Sequence, residues 1–152
     1  MRRLSGVLLT GAILMLPAFS QSALAQAAPQ KTTYTGDVVV AAYAVNPGKD
    51  ADYEKVMAAL KDALAKSPRP EAKEQLAGWK VVKNSAKQPD GSSLYVHVIT
   101  PIVKDADYTI TNIVYEVVKD PMEQKNFFEL YKGALQKPLF VIQGPITSDF
   151  SK

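Results

Sequence analysis

Apolar and polar positions recur along the chain in two different periods, and the points where the period changes predict its elements. Val38 to Val45 is apolar on both faces and β-branched at its start, which suits a central strand. Asn46-Pro47-Gly48 is a turn, after which Tyr53, Val56, Met57, Leu60 and Leu64 recur at helical spacing to about Lys66. Asp50 is the expected cap of that helix, with Asp52 and Glu54 suited to its positive end. Ser67-Pro68-Arg69-Pro70 stops it, and Glu71 to Leu76 predicts a further short turn of helix before Gly78. Trp79 to Lys83 and Leu94 to Thr100 read as strands paired in a hairpin around Pro89-Asp90-Gly91. Ile110, Ile113, Val114, Val117 and Val118 fit a helical period, although their branching keeps a strand open. Asp120-Pro121 breaks that run and starts another helix, with Phe127, Phe128, Leu130, Tyr131 and Leu135 facing inward. Leu139 to Ile142 is a last strand, ended by Gly144-Pro145.

The order β-α-β-β-α-β, with the second helical region split at Pro121, predicts an α+β, ferredoxin-like sandwich: an antiparallel sheet with helices on one face. A repeated pentapeptide supports two similar halves. Lys49-Asp50-Ala51-Asp52-Tyr53 and Lys104-Asp105-Ala106-Asp107-Tyr108 each follow a strand and precede a helical pattern. If the two copies are equivalent, His97 sits opposite Ala42. One sheet face then carries Val40, Ala42 and Ala44 with Tyr95, His97 and Ile99, and the other Val39, Ala41 and Tyr43 with Leu94, Val96 and Val98. The aliphatic second face suits packing under helices, so the first is expected to look outward.

The start of the chain is set apart from this domain. Arg2 and Arg3, an apolar run from Val7 to Phe19, and the small-residue sites at Ala23-Leu24-Ala25 and Ala25-Gln26-Ala27 predict a cleavable signal peptide over 1–25. The run is too short for a membrane span and contains Pro17, so stable membrane insertion is not expected. Residues 26–36 read as a flexible lead-in and 37–150 as one domain, in a periplasmic or secreted setting. The whole chain has 18 Lys and Arg against 15 Asp and Glu, and losing Arg2 and Arg3 leaves 16. With no basic cluster remaining, nucleic-acid binding is not expected. Cysteine is absent, which removes disulfides, thiol nucleophiles and thiolate metal sites.

Pro47-Gly48-Lys49 with Asp52-Tyr53-Glu54, Gly78-Trp79-Lys80-Val81, Leu94-Tyr95-Val96 and Ala106-Asp107-Tyr108 carry a likeness across residues 37–146. In these patches the chain resembles the dimeric α/β-barrel superfamily, which includes antibiotic-biosynthesis-type monooxygenases and stress-responsive barrel proteins. Within it the chain is most similar to uncharacterised exported bacterial proteins. The resemblance implies a homodimer whose sheets face one another, but no active site. Haem-degrading members use an Asn, Trp and His set with the His on a helix, whereas Trp79 and His97 here both fall on predicted strands.

His97 is the chain's only histidine and so its one side chain titrating near neutrality. In a pocket it would serve as a base toward a phenol or enol, with Tyr95 and Trp79 positioning the substrate, as a cofactor-independent monooxygenase requires. The competing reading is a buried histidine satisfied by its neighbours. Tyr95, His97, Ala42, Ala44 and Trp79 are the candidate ligand-binding residues for a small apolar or aromatic molecule held across the open sheet face, and Tyr43 is a further stacking candidate. A cell-envelope interaction module is a third reading. The aspartate pairs lack a calcium-loop layout, and one histidine without cysteine does not make a zinc site. No Gly-x-Ser-x-Gly or glycine-rich phosphate loop occurs, so neither a serine hydrolase nor a nucleotide enzyme is expected, and no metal or cofactor is assigned.

Overall fold

The computed structural model describes residues 30–151, so the signal-peptide reading and the start of the expected lead-in lie outside the described residues. Strand β1 (Val38–Val45) leads into helix α1 (Asp50–Lys66), followed by α2 (Ala72–Gly78) and strands β2 (Trp79–Lys83) and β3 (Ser93–Ile99). Helices α3 (Ile110–Val117) and α4 (Pro121–Ala134) then lead into β4 (Leu135–Gly144). The described residues therefore form an α+β unit, an open four-stranded sheet with four helices. Its strand order is β2-β3-β1-β4, and every pair is antiparallel.

Local chemistry accounts for the helix boundaries. On α1, Tyr53, Val56, Leu60, Ala63 and Leu64 are buried at three- and four-residue spacings, so one stripe drives its docking. Pro121 is disfavoured inside a helix and pushes the residue before it out of helical geometry. Asp120 is accordingly extended, and its carboxylate accepts from the Met122 and Glu123 N–H groups at the start of α4. Pro138 is tolerated within β4 because that strand lies at the sheet edge. Two irregularities in the β1–β4 pairing, between Ala42 and Tyr43 and between Ala44 and Val45, let β4 run from Leu135, earlier than the expected Leu139.

Register decides which face is covered, and it corrects the expectation from the repeat. His97 pairs with Ala41 and Val81, not with Ala42. The helix-covered side carries Val39, Ala41, Tyr43 and Val45 with Tyr95, His97 and Ile99, and its core continues into Tyr53, Ala106, Tyr108 and Ala134. The opposite side carries the row Val82, Val96, Ala42, Phe140 and the row Lys80, Val98, Val40, Ile142. Val82, Phe140 and Ile142 are 55%, 47% and 64% exposed there. The face holding His97 and Tyr95 is thus the inner one, and the aliphatic face is the outer one.

The displacement has a physical cause, because only the first pentapeptide starts a helix. Its Asp50 is the first residue of α1 but is no cap, since Lys49 holds the cap position without a side-chain bond. In the second copy Asp105 has φ 60°, the Val103 carbonyl accepts from the Ala106 N–H, and Asp107 accepts from the Thr109 N–H in an Asx turn. Helix α3 begins only at Ile110. The two copies share one role: Tyr53 and Tyr108 are both buried anchors.

Candidate functional site

His97 projects from the middle of β3 into the layer between sheet and helices, where it is 1% exposed. The Trp79 indole N–H donates to its Nδ1 at 3.1 Å, and its Nε2 lies 2.9 Å from the Tyr53 hydroxyl. Because an indole N–H can only donate, Nδ1 must be the unprotonated acceptor, and the neutral ring carries its proton on Nε2, facing the Tyr53 oxygen. Burial lowers the His97 pKa to about 4. Neither nitrogen is left to take a substrate proton, so the arrangement matches a satisfied interior histidine.

Of the five residues expected to meet a ligand, Trp79, His97 and Tyr95 share the inner face, while Ala42 and Ala44 lie on the outer one. The structure does not bring the five together. Tyr95 is further separated, because its hydroxyl turns toward α1 and shares its one proton between Asp50 at 3.1 Å and Glu54 at 2.9 Å. Lys83 and Lys87 ion-pair with Asp50 at 3.0 and 2.7 Å. Hydrogen bonds from Lys87 and Ser93 lead in holding the Asp50 carboxyl far below the usual carboxylate range. This closed network locks α1 onto β3 and leaves Tyr95 no freedom to position a substrate.

Beside His97, the inner face opens into a cavity of about 160 Å³. Ala41 and Tyr43 from β1, Trp79 and Tyr131 form part of its lining. Thr32 and Tyr34 line it as well, and both belong to the expected lead-in. That segment packs against the domain from Gln30 onward. The Thr32 N–H donates to the Asp107 carboxylate at 3.2 Å and to the Thr109 hydroxyl at 2.9 Å, and the Tyr108 N–H donates to the Thr32 carbonyl at 2.8 Å. The Asn112 amide donates to the Gln30 carbonyl at 2.9 Å, and the Tyr34 ring lies 5.2 Å from that of Tyr108. Asp107 anchors this strap, directly at Thr32 and through Asn112 at Gln30.

The cavity's polar groups fall into two kinds. Trp79, His97 and Tyr108 are internally bonded, the last accepting from the Val103 N–H at 2.8 Å. Among the described residues the hydroxyls of Tyr34, Tyr43 and Tyr131 have no protein hydrogen-bond partner, and none of the three is sealed from solvent. Burial is the leading cause that raises all three pKa values, to about 12 for Tyr34 and Tyr131, and the neighbouring phenols reinforce it for those two. At neutral pH they are therefore protonated. No carboxylate, lysine or arginine lines the cavity.

Two of the larger hollows are less suited to selective binding. One of about 230 Å³ surrounds Arg69, which is already paired with Glu116 at 2.7 Å and Glu71 at 3.0 Å. The other, of about 440 Å³, lies between α1 and β2 over Met57, Leu60, Leu64 and Leu76, with Lys61 its one charged group. Among the described residues no three His, Asp or Glu side chains converge as a metal-holding group, and no helix is long and apolar enough to cross a membrane.

Tyr34, Tyr131 and Asp107 escaped the sequence reading as site residues. The run Thr32-Thr33-Tyr34-Thr35 has the branched and aromatic composition of packed chain, which was the available signal for the strap. Tyr131 looked like core from its helical spacing, and spacing cannot show that its hydroxyl end is unpartnered. Comparison with protein-family models, with curated proteins and with solved structures returns no match.

Proposed function

We propose that this chain is an exported domain of the ferredoxin-like β-α-β-β-α-β class that acts as a homodimer and holds a small single-ring molecule in the tyrosine-lined cavity of each copy. The observation that carries the reading is that Tyr34, Tyr43 and Tyr131, neighbouring phenols whose hydroxyls have no protein partner among the described residues, line one cavity of about 160 Å³. A cavity near 150 Å³ accommodates benzene in other proteins, so a single ring fits. Aromatic walls suit such a ring, and hydroxyl tips fix its orientation. The ligand thus belongs on the inner face, where concavity and polar groups coincide, and the outer face is left for a second copy.

The class assignment rests on the β2-β3-β1-β4 antiparallel order with helices packed on one side. Dimerisation is supported by two apolar rows crossing the outer face and by the superfamily resemblance. A monooxygenase-like reaction based on His97 has less support, because Trp79 and Tyr53 occupy its two nitrogens.

Native mass spectrometry of the protein released from the periplasm tests both parts. The expected species is a dimer with one small adduct per copy. Ala41→Leu, which fills the cavity from β1, is expected to abolish the adduct and keep the dimer. A strict monomer that never carries an adduct would overturn the proposal.

A further inference from the structure

The cavity's polar lining also constrains what kind of ring it accepts. This step rests on the reading that the cavity is a ligand site. Each phenol hydroxyl has one proton to donate, and those of Tyr34, Tyr43 and Tyr131 meet no protein acceptor. Burial and mutual proximity keep them un-ionised, so they remain donors across the neutral range. His97 adds no charge, being neutral with its Nδ1 lone pair turned to Trp79. Tyr108 already receives the Val103 N–H, and Thr109 is engaged with Thr32.

A purely apolar ring would displace water from three donors and offer them no acceptor in return, which carries a desolvation penalty. A cationic ring would find no carboxylate in the lining to pair with. A carboxylate has two oxygens with four lone-pair positions, and bonds from neutral donors to an ionised acceptor are roughly twice as strong as neutral pairs. We infer that the cavity selects a monocyclic aromatic carboxylate, its ring against Trp79 and Tyr43 and its carboxylate bonded by the Tyr34, Tyr43 and Tyr131 hydroxyls. Donors held in place by the sheet, by α4 and by the strap then substitute for the counter-charge the cavity lacks.

Isothermal titration calorimetry of the purified protein with benzoate, toluene and benzylammonium tests this. Benzoate is expected to bind at least about tenfold more tightly than either of the others. Tyr43→Phe and Tyr131→Phe should each weaken benzoate about tenfold and leave toluene nearly unchanged, since only a donor is removed. Thermal melts matching the parent establish that the variants are folded, and Tyr34→Phe on the strap provides a third, independent removal of a donor. Toluene or benzylammonium binding as tightly as benzoate would overturn the carboxylate inference while leaving the cavity a ligand site. Failure of all three probes to bind, in a protein that also carries no adduct by native mass spectrometry, would overturn the cavity reading itself.

Discussion

With its Nδ1 lone pair committed to the Trp79 N–H and its Nε2 proton directed at Tyr53, His97 loses a hydrogen bond when protonated and gains none. Burial acts in the same direction, which is why its pKa falls to about 4 from an ordinary value of 6.5. The consequence is a pH dependence of stability. As pH drops below about 6.5 the unfolded chain takes up the proton first, so the unfolded state binds more protons and stability declines until about pH 4. Above the ordinary value the contribution is fully present. Between pH 7 and pH 5 the loss should be about 2 kcal/mol, and urea unfolding at the two pH values measures it. His97→Gln should be less stable at pH 7, having lost the ring's two bonds, but should show little of the decline over that interval. An equal decline in the variant would mean that other groups set the acid sensitivity. Tyr53 completes the picture, because burial raises its pKa as well and the pair stays neutral through the physiological range.

At the scale of elements, much of the architecture was legible because it follows from period. The stripe of α1, the cap and proline that begin α4, and the apolar run of β1 are local signals, and each element stands close to where its pattern placed it. Register was not legible. A slip of one residue in a period-two strand moves every side chain to the other face, and the repeat misaligned the strands by that amount. The connection 46–49 leads directly into α1, whereas 100–109 folds into a turn before α3, so equal pentapeptides do not imply equal joints. The strap was missed for a different reason. Its stability comes from partners about 75 positions away, including Asp107 and Asn112, and no local pattern reports them. This predicts that Asp107→Ala loosens residues 30–36 in particular. It removes acceptors for the Thr32 and Thr109 N–H groups and the Asn112 amide, with an expected loss of about 1–3 kcal/mol. Limited proteolysis should then cut near Thr33, and hydrogen exchange should speed up at the Thr32 and Tyr108 amides while those of β1 and β3 stay protected. Uniform acceleration across the sheet would instead make Asp107 a general determinant of the fold.

For the molecule as a whole, the two faces of one sheet differ in chemistry. The inner face is crowded with aromatic and bonded polar groups around the cavity, and the outer face has a smooth aliphatic surface broken only by lysines such as Lys80 and Lys137. Ala42 and Ala44 contribute by being small. They sit fully packed in their rows and leave a shallow middle between Val82 on one side strand and Phe140 on the other. In the proposed dimer a two-fold axis would set one copy's exposed edge-strand side chains against the other's alanine-lined middle. Val82, Phe140 and Ile142 are each about half exposed in a single copy, and burying the remainder of several such side chains per protomer supplies a few kcal/mol toward association. The proposed dimer is therefore expected to depend on these positions and the isolated fold to be nearly indifferent to them. Phe140→Lys combined with Val82→Lys should give a monomer by analytical ultracentrifugation, with an unfolding midpoint no lower than the monomer–dimer linkage accounts for. Because the cavity lies on the other side of the sheet, benzoate affinity in that monomer should stay within about twofold of the parent. Loss of ligand binding together with the dimer would show that the partner copy helps to shape the cavity, and a dimer that survives both lysines would place the subunit contact elsewhere on the molecule.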